Sequence, residues 1–212
     1  MKIYCFSGLG ADERVFSLLK LSLPFELVNI PWIPPEKNET IESYSLRISK
    51  MIEVQKPFGI LGVSFGGLIA QEVSSILNPK FTIVISSISS KSQMPLLLKL
   101  LPNYILKSIP VQWFNISRLV SNYIFSAQQK DLLQKILKDT DPKFVKWALF
   151  AFKNWKAQNS LGVDVFFICG EKDRLFKPIN DVVVIKNGGH FMIVDLADKL
   201  SVIINHFLDK IE

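Results

Sequence analysis

Apolar residues along this chain come in two kinds of run, and the two alternate. Five- to seven-residue blocks rich in β-branched and aromatic side chains, Lys2–Phe6, Phe25–Ile30, Phe58–Val63, Phe81–Ile85, Val163–Cys169 and Asp181–Ile185, read as strands. Phe81–Ile85 is an apolar run broken only by Thr82, as expected of a strand covered on both faces. Between these blocks the apolar positions take helical spacing: Val15, Leu18 and Leu19 within Ala11–Leu21; Tyr44, Ile48, Met51 and Ile52 after a capping Thr40; Leu68–Leu77; and a closing amphipathic stretch from about Asp195 to Ile211. Pro31, the Pro34-Pro35 pair, Pro57 and Asn78-Pro79 mark the boundaries. Strands alternating with helices imply a parallel sheet. The expected fold is therefore α/β, a mostly parallel, doubly wound sheet of about six strands. One stretch breaks the alternation: Pro95–Trp155 contains no convincing strand and reads as a helical insertion. A single domain over 1–212 is expected, with its core at 1–90 and 159–212 and the insertion at 91–158.

Composition narrows the class. With 212 residues, 49% of them hydrophobic and 21% charged, the chain can build one real core. No apolar run approaches the roughly 18 residues needed to span a bilayer, and Met1–Phe6 leads straight into a glycine turn, so neither signal peptide nor membrane anchor is expected. Cys5 and Cys169 lie inside strand-like runs and read as small buried hydrophobes, not as a disulfide or metal ligands. A cytoplasmic location is the simplest expectation. Gly8-Leu9-Gly10 follows a strand and opens the next segment, but the third glycine of a dinucleotide fingerprint is missing and Asn29 stands where an acid would bind ribose. No cofactor, metal, nucleic acid or membrane partner is expected.

The net charge of +6 is uneven. From Lys91 to Gln158 there are eleven basic residues and three acidic ones, a local balance of 11 − 3 = +8. Solvated helical faces account for such a balance, and so does attraction of an acidic acyl carrier.

The chemistry concentrates at Leu61-Gly62-Val63-Ser64-Phe65-Gly66-Gly67, where a G-x-S-x-G pattern sits between a strand and a helix. A serine on such a sharp turn projects above the sheet edge, and Gly62 and Gly66 leave room where strand and helix crowd together. Ser64 is the candidate nucleophile. Imidazole is suited to activate a serine near neutral pH, and His190, in the turn Asn187-Gly188-Gly189-His190-Phe191 after a strand, is the candidate base. His206, in the last helix, is expected to pack. The imidazole needs a carboxylate to orient it. Gly170-Glu171-Lys172-Asp173-Arg174 offers Asp173, with Glu171 as a second choice.

With the elbow in this context and the order Ser64, Asp173, His190, the sequence resembles the α/β-hydrolase family. The resemblance covers nearly the whole chain. It implies a trimmed form of the fold that starts at the strand carrying the oxyanion loop, with residues 91–158 in the place of a lid. It also implies oxyanion donors at the N–H groups of Phe65 and Leu9, the latter within Ser7-Gly8-Leu9-Gly10; many relatives have His-Gly where this chain has Ser7-Gly8. The expected activity is hydrolysis of a small-molecule carboxylic ester or thioester through an acyl-enzyme, the acyl or alkyl group being apolar because the insertion is rich in aromatic residues. The alternative is a non-hydrolytic member, a ligand-binding protein or a lyase. The serine at the elbow argues against haloalkane chemistry, for which relatives use an aspartate there.

Overall fold

The computed structural model describes residues 1–54, 56–114, 118–157, 163–178 and 182–211. The expected boundary between insertion and core at 158/159, and the first residue of the last predicted strand, Asp181, lie outside them. Six strands, β1 (Lys2–Phe6), β2 (Glu26–Asn29), β3 (Phe58–Val63), β4 (Phe81–Ile85), β5 (Val165–Gly170) and β6 (Val183–Ile185), form one sheet in the order β2-β1-β3-β4-β5-β6, every pairing parallel.

Alternation along the strands sends side chains into two cores, one on each face of the sheet. Ile3, Cys5, Leu61, Phe81, Ile83 and Ile85 join one; Tyr4, Phe6, Phe58 and Ile60 join the other. The second core is covered by α1 (Ile41–Ile48) and α2 (Phe65–Leu77). Thr40 caps α1 in a reciprocal capping box with Ser43. The first core is closed by the C-terminal helix.

Between β4 and β5 the described residues form α3 (Leu96–Leu100), α4 (Asn103–Ser108), α5 (Arg118–Ile124), α6 (Lys130–Asp139) and α7 (Pro142–Asn154), with no strand among them. The chain ends in a short α8 (Met192–Asp195) and the longer α9 (Ala197–Leu208), which buries Leu200, Ile204 and Leu208. The closing helix expected from about Asp195 is α9, and the short α8 precedes it. His206 is exposed on α9 and does not pack. Among the described residues no helix is long and apolar enough to cross a membrane.

The helix expected over Ala11–Leu21 is instead one short 3-10 turn, Glu13–Phe16. Its spacing still buries Val15, Phe16 and Leu19, but competing acceptors capture the amides that would continue it. The α9 side chains Ser201 and Asn205 accept from the N–H groups of Lys20 and Ser22 at 2.9 Å each, while the Asp12 carboxylate, accepting from the N–H of Arg14 at 3.1 Å, caps the start of the turn.

Because β1 lies between β2 and β3, the chain leaves β1 in one direction and returns to β3 on the other side. The loops after β1 and β3 diverge there and leave a crevice at the C-terminal edge of the sheet. Ser7-Gly8-Leu9-Gly10 follows β1 and Ser64 follows β3. A Cβ added at Gly66 would stand 2.2 Å from the carbonyl oxygens of both Phe6 and Ser7, so the elbow helix can meet the end of β1 only through glycine. Gly66→Ala should cost about 3 kcal/mol of stability as backbone is forced apart, read as a lowered urea midpoint at unchanged slope.

Candidate active site

Ser64 occupies the turn between β3 and α2 with φ 54° and ψ −120°, a strained backbone for a residue with a side chain. Its N–H donates to the Ile85 carbonyl at 2.9 Å, which ties the turn to β4. Ser64 stands at the N-cap of α2 yet makes no capping bond through its side chain. The hydroxyl meets His190 Nε2 at 2.9 Å instead.

The loops after β5 and β6 bring the other two residues in. They are zipped together, Lys172 N–H donating to the Gly188 carbonyl at 2.7 Å and Glu171 N–H to the Ile185 carbonyl at 3.0 Å. Glu171 is exposed, and its carboxylate accepts from the Asn187 N–H at 2.9 Å. Asp173 is the acid that reaches the histidine, with Oδ2 at 2.9 Å from His190 Nδ1. Its Oδ1 accepts from the N–H groups of Leu175 at 2.8 Å and Phe176 at 3.0 Å. Asp173 and His190 are both buried. Burial pushes the Asp173 carboxyl upward, but attraction to the His190 ring and the hydrogen bonds from His190, Phe176 and Leu175 outweigh it, so the acid titrates below its ordinary value of 3.8. An ionised carboxylate can only accept. Nδ1 therefore carries the ring proton, and Nε2 is left to accept from the Ser64 hydroxyl. Phe125 and Phe176 flank the imidazole with ring centroids 5.4 Å away.

The loop after β1 lies against the elbow: a Cβ added at Gly8 would come within 3.7 Å of the Ser64 Cβ. Three contacts absent from the sequence reading hold it. Trp32 Nε1 donates to the Gly8 carbonyl at 3.2 Å, Ser7 Oγ to the Ala11 carbonyl at 2.7 Å, and Thr140 Oγ1 to the Gly10 carbonyl at 2.8 Å. Ser7 therefore braces its own loop. Trp32 is wedged between Phe65 and Phe144, with centroids 5.8 Å and 5.3 Å away. The only sequence signal for it is a tryptophan set among prolines just after β2. Leu9 is half-buried beside Ser64, and Phe65 is buried at the first position of α2.

The insertion is fastened across this edge. Phe191 N–H donates to the Phe125 carbonyl at 3.1 Å, Arg14 pairs with Asp139 at 2.8 Å, and Trp147 Nε1 donates to the Glu39 carbonyl at 2.9 Å. Asp195 accepts from the N–H groups of Gln128 and Gln129 at 2.8 Å each, just before α6, and burial raises its pKa. Beside Ser64 and His190 a cavity of about 40 Å³ is lined by Val15 and Val63 from the core and by Phe125, Leu133, Ile136 and Leu137 from the insertion. Its lining is almost wholly apolar.

Both thiols are free and buried; burial pushes Cys169 up to about 11, with a smaller contribution from the nearby charge of Asp173. Among the described residues no group of three or more His, Cys, Asp and Glu side chains could hold a metal ion.

No protein-family model and no curated protein matches the sequence. Solved structures do. A hydrolase from Oleispira antarctica is similar at 14% identity, covering 98% of this chain and 90% of that one with a TM-score of 0.76. The enol-lactonase from Burkholderia xenovorans LB400 is similar at 14% identity, covering 98% and 91%, TM-score 0.75. The RedJ thioesterase from the prodiginine biosynthetic pathway in Streptomyces coelicolor is similar at 16% identity, covering 97% and 89%, TM-score 0.68. At these identities the likeness is one of architecture, and it runs nearly end to end. The six-stranded parallel sheet, its strand order and the elbow at its C-terminal edge together give this chain the α/β-hydrolase fold, in a trimmed form.

Proposed function

We infer that the chain is a serine hydrolase acting on a small-molecule carboxylic ester or thioester with an apolar acyl group. The observation that carries this reading is the unbroken line of contacts from Asp173 through His190 to Ser64, 2.9 Å at each link, with the serine on a strained turn.

In this mechanism His190 Nε2 takes the hydroxyl proton as Ser64 Oγ attacks the acyl carbon, and Asp173 stabilises the imidazolium that forms. The negative charge moves to the carbonyl oxygen, where the N–H groups of Phe65 and Leu9 receive it. The N-terminus of α2 adds its positive end to the same spot. His190 then returns the proton to the departing alcohol or thiol, leaving an ester on Ser64. Water, deprotonated by the same ring, hydrolyses it and restores the serine. Residues 91–158 serve as the lid, and the apolar lining they contribute selects the acyl group. A ligand-binding protein or a lyase that keeps the same three residues is the alternative, and saturable binding with slow turnover would favour it.

The cavity sets the expected range. About 40 Å³ holds roughly three water-sized groups, so short acyl chains should be preferred. A series of 4-nitrophenyl esters and acyl thioesters of increasing chain length tests the reading, and absence of hydrolysis across both series by folded protein refutes it. Leu133→Ala, by opening the cavity floor on α6, should move the optimum toward longer chains by about two carbons, with the gain in kcat/KM for a longer ester about tenfold.

A further inference from the structure

Beyond the site, the helices α3 and α4 are built the wrong way round for a water-soluble surface. α3 buries none of its residues, and α4 buries only Leu106. Leu96, Leu97 and Leu100 on α3 are 68%, 83% and 71% exposed, and Tyr104 on α4 is 73% exposed. Trp113, in the turn that follows, is 77% exposed. Single exposed apolar residues are ordinary; this many on two consecutive short helices are not.

Polar contacts from α7 hold the helices in this orientation. Lys153 Nζ donates to the carbonyls of Leu98 and Lys99 at the end of α3, at 2.9 Å each. Lys146 Nζ does the same for Lys107 and Ile109 at the end of α4, at 2.7 Å each. Asn103 Nδ2 adds a bond of 3.0 Å to Asn154 Oδ1. The two helices are thus fixed through their C-terminal carbonyls, a polar side chain and the inward-packed Leu98 and Leu106, and Leu96, Leu97 and Leu100 are left outward.

The charge around them has one sign. From Val73 to Lys130 there is no acidic residue, while Lys80, Lys91, Lys99, Lys107, Arg118 and Lys130 give the segment a charge of +6. Lys91, Lys99 and Lys107 are exposed on and beside the two helices. Leucines for the acyl boundary, a tyrosine and a tryptophan for the headgroup level, and lysines for anionic headgroups are the components of an interfacial helix surface.

We propose that the α3–α4 face docks on the surface of an anionic phospholipid bilayer, with Leu96, Leu97, Leu100 and Tyr104 entering the interface. The absence of a spanning run, from which no membrane partner was expected, has no bearing on this, because peripheral attachment needs none. A second copy of the chain would bring another cationic face against this one. An acidic carrier would meet the same lysines but would leave the exposed leucines unused.

The test is co-sedimentation of the full chain with vesicles of phosphatidylcholine alone and of phosphatidylcholine mixed with phosphatidylglycerol. The expected result is partition onto the mixed vesicles, at least roughly tenfold weaker on phosphatidylcholine alone and weakened by salt. Leu97→Glu with Leu100→Glu should reduce partition by a further factor of about ten or more while circular dichroism stays unchanged; both side chains face solvent, so folding does not depend on them. The proposal is overturned if wild-type protein ignores the mixed vesicles, or if the double variant partitions as well as wild type. It is equally overturned if sedimentation shows a dimer that the double variant dissociates, or if an acidic acyl carrier protein binds this face while vesicles do not.

Discussion

Ser64→Ala is expected to lower kcat for any ester substrate by at least about 10⁴-fold, down to the residual rate that binding and oxyanion stabilisation alone can sustain. The loss is large because the attacking oxygen is gone, and no other hydroxyl stands at 2.9 Å from His190 Nε2 among the described residues. The fold should survive. The Ser64 side chain caps nothing, its N–H would still donate to the Ile85 carbonyl, and an alanine bears the same positive φ at the same cost. A fluorophosphonate, which phosphonylates an activated serine without needing the natural substrate, gives the direct readout. Wild type should label and Ser64→Ala should not, with urea midpoints equal within error. A folded wild type that fails to label would move the binding-protein alternative to first place, and labelling that survives the substitution would place the nucleophile elsewhere.

Asp173→Asn should cost about as much, on the order of 10⁴-fold in kcat, for a different reason. An asparagine amide can turn its NH₂ toward His190 Nδ1. That ring nitrogen then becomes the acceptor, the proton moves to Nε2, and the base no longer has a lone pair for Ser64. The prediction separates this role from simple packing, because Asp173→Asn preserves shape and both backbone bonds to Leu175 and Phe176 can remain through the amide oxygen. Stability adds a second readout with a definite sign. The folded pKa of Asp173 lies below its ordinary value of 3.8, so the ionised acid contributes stability that is fully present above that value and lost as pH falls through the folded pKa. The wild-type advantage over Asp173→Asn in denaturation midpoint should therefore be present at neutral pH and shrink in the acid range. A gap that widens toward low pH would contradict the assignment of a stabilised carboxylate.

The strands, the turn that carries Ser64 and the order of the candidate site residues were legible along the chain because each is local. A parallel strand buried on both faces must be a short apolar run, as Phe81–Ile85 is, and a serine between such a run and a helix needs small residues beside it, as Gly62 and Gly66 are. Asp173 and His190 each follow a strand, and in a parallel sheet that alone sends both to the edge where Ser64 stands. What the chain could not disclose depends on residues far apart in it. Asp173 prevailed over Glu171 because only its carboxylate reaches His190, while Glu171 is taken by the Asn187 amide. The helix expected after β1 was lost to acceptors on α9, some 180 positions away in sequence. Trp32 and Thr140, which hold the loop beside Ser64, act through one hydrogen bond each, and a single hydrogen bond leaves no periodicity to detect. The same limit applies to α3 and α4. Their leucines promise burial in any hydrophobicity pattern, yet Leu98 and Leu106 pack inward while Leu96, Leu97 and Leu100 face outward, with the lysines of α7 fixing the helix ends.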